Sequence, residues 1–284
     1  MRSFYENTLG TQWNQKSGGE SPFDISTLLF QELTPQRTKL LHQYMNILQK
    51  GDLPTLSKMF GLKKEADIRA NQRDIAHELT MKAIKRYTGV AFDYLGYSAL
   101  DTQTQTYIDS HVILFSNLFG PIRASDLIPE YKLKQGEAVG EIKVEKFFHE
   151  HSADLMEAYL EKEEILDLRA GFYDKFYKPK KAYTTLKFIK DGKVVSHWAK
   201  AYRGIVLREI AKAGVENIDA FMKLPIEGLS IAEIQTRKNK TEIIYTIEKW
   251  DIMRLPSNET LYKILLFLLF GMVILGILFD TDFN

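Results

Sequence analysis

Residues 111–129 read His111-Val-Ile-Leu-Phe-Ser-Asn-Leu-Phe-Gly-Pro-Ile-Arg-Ala-Ser-Asp-Leu-Ile-Pro129. A short β-branched and aromatic run that breaks at Gly120-Pro121 predicts a buried strand followed by a turn. Arg123 and Asp126, three residues apart, are spaced to pair, and Pro129 stops any helix begun at Asp126. Arg123 therefore has a fixed place at a strand end, where loops on a rigid scaffold carry function.

A second stretch has the same ingredients: Ala199-Lys-Ala-Tyr-Arg-Gly-Ile-Val-Leu-Arg208. It follows the strand-like Lys193-Val-Val-Ser-His-Trp198, and its Gly204 opens the amphipathic segment Ile205 to Ala213. The expectation is strand, glycine turn, helix start. Backbone N–H groups at such a turn, beside Lys200 and Arg203, suit phosphate or another anion. The alternative is that Arg203 closes an internal ion pair with Asp126 or Asp167.

The chain has 284 residues, 45% of them hydrophobic, enough for a full core in one large domain or two small ones. Its lack of cysteine excludes disulfides, thiol catalysis and cysteine-ligated metal. The net charge of +1 hides a segregation of sign: Glu137 to Asp167 holds ten acidic residues against three lysines, and Arg169 to Arg203 holds ten lysines and arginines against Asp174 and Asp191. The basic segment is interleaved with Phe172, Tyr173, Phe176, Tyr177, Tyr183, Phe188, Trp198 and Tyr202. Lysines meet phosphates and rings stack on bases, so this composition suits a nucleic-acid face. Equally, Asp191-Gly192 is a hairpin signal, and the rings can be core. Lys175, Lys178, Lys180 and Lys181 are the charges expected at the surface.

The N-terminal third after the first loop reads as helical, over 34–80. Thr34-Pro35 marks a helix start, and Leu40, Leu41, Tyr44, Met45 and Leu48 form a stripe that ends at Gly51. Asp52 to Gly61 is a short second helix, and Leu62-Lys-Lys-Glu-Ala-Asp67 opens a third after a one-glycine turn. At the other end, Ile264 to Phe279 carries no charged side chain. Its helix would span about 24 Å at 1.5 Å per residue, and Leu261 with Tyr262 extends it toward bilayer thickness. The expectation is a transmembrane helix over 261–279, contacting the membrane through 264–279. Arg254 and Lys263 before it hold the large domain in the cytoplasm, tail-anchored to the inner (cytoplasmic) membrane.

On these blocks the sequence resembles the YaaA family of peroxide-stress proteins. Ser116 to Gly136 follows that family's Ser-Gly-Leu-Tyr-Gly block, with Asn117 for Gly, Phe119 for Tyr and Ala124 for Pro, and Ala199, Lys200, Arg203, Gly204 and Arg208 match a second block. Asp167 to Tyr177 and Arg86 to Leu95 are similar to two further segments, so the resemblance covers roughly residues 17 to 245. It implies an α/β (mixed α+β) fold: a single YaaA-like domain over 17–250 with a helical hairpin subregion, to which this chain's residues add the C-terminal hydrophobic helix. It implies protection from hydrogen peroxide by limiting free intracellular iron, and binding of double-stranded DNA through a basic cleft. On that reading Lys180, Lys181, Lys200 and Arg203 contact DNA, Arg123 is a further anion-binding candidate, and Lys63 and Lys64 stand at a helix-hairpin-helix whose amides hold a phosphate. The alternative for this region is an ordinary helix–helix connection with solvated lysines. Residues 1–16 depart from the family: they are polar, and the apolar first strand is missing. The hydrophobic tail departs too, because family members are generally soluble.

Enzymatic signatures are absent: there is no phosphate-binding glycine motif, nucleophile elbow or metalloprotease sequence. Glu145 and His149, four apart on a helix, suit a metal pair or a solvated face. No catalytic residue, metal or cofactor is assigned. Two competing functions share the same charges: an enzyme acting on a nucleotide or other anionic metabolite, and a tail-anchored membrane adaptor.

Overall fold

The computed structural model describes residues 1–6 and 18–248, and its central strand is one the sequence reading declares missing. Arg2–Glu6 is strand β1. Ser21–Pro22 is the two-residue β2, and helices α1 (Thr34–Lys50), α2 (Leu53–Phe60) and α3 (Glu65–Ala70) follow. The stripe on α1 holds, since Leu40, Leu41, Tyr44 and Leu48 are buried. The helical stretch ends earlier than expected, because Leu79–Lys82 is β3. Two short helices, α4 (Ala83–Arg86) and α5 (Val90–Leu95), lead to α6 (Thr102–His111).

The apolar run is β4 (Val112–Ser116), buried at every position, and it turns into β5 (Gly120–Arg123). After β6 (Leu127–Ile128), β7 (Ala138–Val139) and β8 (Ile142–Lys143) comes α7 (Val144–Tyr159), then β9 (Ile165–Asp167) and β10 (Tyr183–Lys190). Asp191 and Gly192, both at positive φ, make the predicted hairpin turn into β11 (Lys193–Val194). The chain closes with α8 (Ser196–Ala213), α9 (Ile218–Met222), β12 (Leu229–Arg237) and β13 (Lys240–Ile247).

The main sheet runs β12-β13-β10-β9-β1-β4-β5, with β11 against β10. β1 pairs in parallel with β4 on one side and β9 on the other, Ser3 lying opposite both Val112 and Leu166. β9–β10 and β10–β13 are also parallel, while β4–β5 and β12–β13 are antiparallel, so the sheet is mixed. A strand can be central without a long apolar run, because it is the neighbours β4 and β9 that supply the pairing. The chain winds outward in both directions from β1, which makes the carboxyl ends of β1, β4 and β9 a topological switch point.

The expected glycine turn at Gly204 is not there: Gly204 lies in the middle of α8. A Cβ built on it would sit 2.1 Å from the Ala91 carbonyl oxygen and 3.0 Å from the Leu95 nitrogen. The glycine is needed because α8 crosses α5 backbone against backbone.

The basic segment's aromatics resolve in favour of the core. Tyr173, Phe176, Tyr177, Tyr183, Phe188 and Tyr202 are buried, and Phe172 and Trp198 are half-buried. Among the described residues no helix is long and apolar enough to cross a membrane, and the expected helix at 261–279 lies outside them.

Candidate functional site

The carboxyl ends of β4 and β9 carry a cluster of buried polar side chains. At the end of β4 the Ser116 Oγ accepts the N–H groups of Leu118 (3.2 Å) and Phe119 (2.9 Å), which folds the chain back into β5. The same oxygen lies 2.8 Å from the Tyr131 hydroxyl, which lies 2.9 Å from the Tyr87 hydroxyl. All three groups are buried, and burial holds the phenols of Tyr87 and Tyr131 above their ordinary range. The result is a hydroxyl relay from the strand end to Tyr87.

Tyr87 in turn lines a cleft of ≈ 200 Å³ with Lys85, Thr88, Phe92, Asp93 and Tyr97. Its apolar wall is the Tyr87–Phe92 ring pair, centroids 5.9 Å apart. The Lys85 ammonium lies over the Tyr97 ring at 5.9 Å. Thus the relay joins an open cleft to the switch point.

The segment Tyr131-Lys-Leu133 crosses this end of the sheet. The Asn117 amide donates to the Leu133 carbonyl at 3.2 Å, and the Tyr44 hydroxyl donates to the Lys132 carbonyl (2.7 Å) while accepting the Lys132 N–H (3.2 Å). Lys132 is 6% exposed, and burial lowers its ammonium to a pKa of about 8. A lysine so placed is available as a cation below that pH and as an amine above it.

At the end of β9, Arg169 forms a two-pronged pair with Asp167, Nε to Oδ1 at 2.8 Å and Nη2 to Oδ2 at 2.7 Å. It also donates to the Tyr173 and Tyr177 carbonyls and stacks 4.4 Å from the Phe115 ring centroid. Arg37, fully buried, donates to the carbonyls of Phe119 (2.9 Å), Pro121 (2.8 Å) and Phe30 (3.0 Å), and burial lowers it to about 10. Both arginines brace the turns around the site.

The sequence-predicted residues fall in three places. Arg123 pairs with Asp126 as expected, Nη1 to Oδ1 at 3.5 Å, and its N–H donates to the same carboxylate at 2.9 Å. Burial raises the Asp126 carboxyl, and its hydrogen bonds oppose that. Asp126 and Asp167 thus have Arg123 and Arg169 as their partners. Lys180 lies 3.5 Å from Asp154, and the Lys181 ammonium turns inward onto the carbonyls of Leu160 (3.1 Å), Glu161 (3.0 Å) and Glu163 (2.6 Å), capping α7. Arg123, opposite Ile113, and the 180–181 loop before β10 belong to the amino ends of the parallel strands. Lys200 and Arg203, half-buried, sit in the first half of α8, which starts beside the carboxyl end of β10, where the Val195 N–H meets the Phe188 carbonyl. Lys200 and Arg208 flank Gly204 by four residues each, and Arg208 donates to the Tyr94 carbonyl (3.0 Å), so this block meets the Arg86–Leu95 block through the α5–α8 crossing.

Lys63 and Lys64 are exposed between α2 and α3. The Gly61 and Leu62 amides are spent closing α2, on Lys58 (3.3 Å) and Ser57 (3.1 Å). Among the described residues no group of three His, Asp or Glu could hold a metal, and no third ligand joins Glu145 and His149.

Tyr87, Tyr131, Lys132 and Arg169 are the residues the sequence reading misses as a group. Their signal was present only as blocks, because strand ends separated by dozens of residues become neighbours through β1.

A family model described as peroxide stress protein YaaA matches residues 20–235. An uncharacterised protein of Campylobacter jejuni subsp. jejuni is 45% identical over 228 residues, 80% of this chain and 93% of that protein. A UPF0246 protein of Corynebacterium glutamicum is 29% identical over 239 residues, 80% of this chain and 94% of its own length. One of Corynebacterium efficiens is 33% identical over 203 residues, 68% and 79% of the two chains.

Proposed function

The chain belongs to the peroxide stress protein YaaA family, and from that premise we propose that it serves the response to hydrogen peroxide by binding duplex DNA. The observation that supports this reading best is the pair Lys63-Lys64. These lysines are adjacent, exposed and without an ion pair among the described residues, on a tight turn between α2 and α3. Such a turn places two ammonium groups side by side in solvent, the charge that phosphate contacts require. Lys180, Lys200 and Arg203 are further contacts on this reading.

Full-length protein is titrated against labelled duplex at low and moderate salt, beside a Lys63→Glu/Lys64→Glu variant. The expected result is weaker binding, with the slope of log affinity on log salt reduced by about 2, one phosphate contact per lysine. Equal affinity and slope in the two proteins count against the assignment. The limitation of free iron belongs to the same proposal: cells lacking the protein should hold more chelatable iron under peroxide, and the Lys63/Lys64 variant should fail to restore the lower level.

A second reading, binding of a nucleotide or other small anionic metabolite, draws on the buried Lys132 beside the Tyr131–Ser116 end of the relay. It predicts saturable stabilisation by such a ligand that Lys132→Met abolishes. An unchanged melting temperature across a panel of nucleotides and phosphorylated metabolites would remove it.

A further inference from the structure

The turn joining β12 to β13 is Arg237-Lys-Asn-Lys240, two residues between the paired Arg237 and Lys240. Lys238 takes a φ of 56°, in the left-handed region that favours glycine. A lysine at such a position, exposed at the tip, invites a functional explanation.

Asn239 locks this tip in place. Its side-chain amide donates to the carbonyls of Pro179 (2.8 Å), Lys180 (3.1 Å) and Lys181 (3.0 Å), and its backbone carbonyl accepts the Tyr183 N–H at 2.9 Å. Two segments about sixty residues apart are thereby joined, and Lys178, Lys180, Arg237 and Lys238 come to one exposed edge at the amino ends of β10 and β13.

The nearby acids are accounted for. Glu242 holds Lys240 at 2.8 Å, Asp154 meets Lys180 at 3.5 Å with both side chains well exposed, and Glu157 accepts the Lys180 N–H and the Tyr177 hydroxyl. Asp174, beside Arg169 at 4.0 Å, feels Lys178 and Lys240 only through space. Among the described residues Lys178, Arg237 and Lys238 have no ion pair. The backbone of this edge is already fixed, so an arginine fork and flanking lysines meet phosphate oxygens with only their side chains left to order.

We propose that the Arg237–Lys238 tip, held beside Lys178 by Asn239, is a second contact to the phosphate backbone of duplex DNA. It rests on the DNA reading above and adds a region that lies beyond the matched residues 20–235.

The test uses the full chain and a labelled duplex across about 50–200 mM salt. Arg237→Glu/Lys238→Glu should bind at least tenfold more weakly at the low-salt end and lose about 2 from the salt slope, since each lost phosphate contact removes ~0.9. A Lys212→Glu/Lys223→Glu control, on lysines elsewhere, should keep the wild-type slope. Lys238→Gly relaxes the backbone while removing one charge, so it should bind more weakly yet melt no lower than wild type. The inference is overturned, with the DNA reading intact, if the double variant binds as wild type or if the control loses as much. It falls together with that reading if wild-type protein binds no duplex at any of these salt concentrations.

Discussion

Gly204→Ala tests the central packing claim, because two readings of the residue predict opposite signs. In an exposed helix interior, replacing glycine by alanine stabilises by about 1 kcal/mol through backbone entropy. Here the added methyl carbon would lie 2.1 Å from the Ala91 carbonyl oxygen, roughly 1 Å inside ordinary contact, and 3.0 Å from the Leu95 nitrogen. The obstacle is backbone, so no rotamer change relieves it, and α5 must move away from α8. That helix buries Ala91, Phe92 and Leu95, and the Arg208 bond to Tyr94 ties it to α8. Overpacking of this kind costs about 1–3 kcal/mol, and a backbone clash belongs at the upper end. Subtracting the propensity gain leaves a net loss of about 1–2 kcal/mol, a drop of roughly 2–8 °C in melting temperature at ~2–4 °C per kcal/mol for a domain of this size. Far-UV circular dichroism melts of wild type and variant measure it. A variant that melts at or above wild type refutes the crossing. If stability is unchanged and only anion affinity falls, the glycine-turn reading is restored.

Three further outcomes follow from the buried polar groups. Arg169→Met leaves Asp167 charged and unpaired in the interior and should cost about 3–5 kcal/mol in urea unfolding; a loss under 1 kcal/mol contradicts the buried pair. Tyr131→Phe removes the middle of the Tyr87–Tyr131–Ser116 relay and should cost about 1–3 kcal/mol, and Ser116→Ala should cost a further ~1–3 kcal/mol on top because it also strips the acceptor from the buried Leu118 and Phe119 N–H groups. Lys132 should titrate near pH 8, followed as the 13C resonance of the reductively methylated amine, and a midpoint near the ordinary lysine value argues against its burial. Its folded pKa lies below the unfolded one, so its contribution to stability is fully present above pH ~10.5 and is lost as pH falls through about 8. Lys132→Met should flatten that part of the stability profile.

The sequence by itself determined the local elements whose signal is carried by neighbouring residues. The apolar run before Gly120-Pro121 is β4, the stripe from Leu40 to Leu48 is the buried face of α1, and Asp191-Gly192 is the hairpin turn. It also determined the family, because the Ser116–Gly136 and Ala199–Arg208 blocks are contiguous. Only the tertiary structure decided what depends on partners distant along the chain. Arg2–Glu6 is central because β4 and β9, more than a hundred residues away, pair with its backbone, and a five-residue strand needs no long apolar run for that. Gly204 was legible as a residue with a backbone demand, yet a turn and a helix crossing make the same demand, and the position of Ala91 chose between them. The aromatics among the lysines became core once β10 lay inside the sheet. The Pro179–Lys181 segment joined the Arg237–Lys238 turn through the side chain of one asparagine. Periodicity and turn chemistry act over a few residues, whereas the site is set by which strand ends the sheet brings side by side.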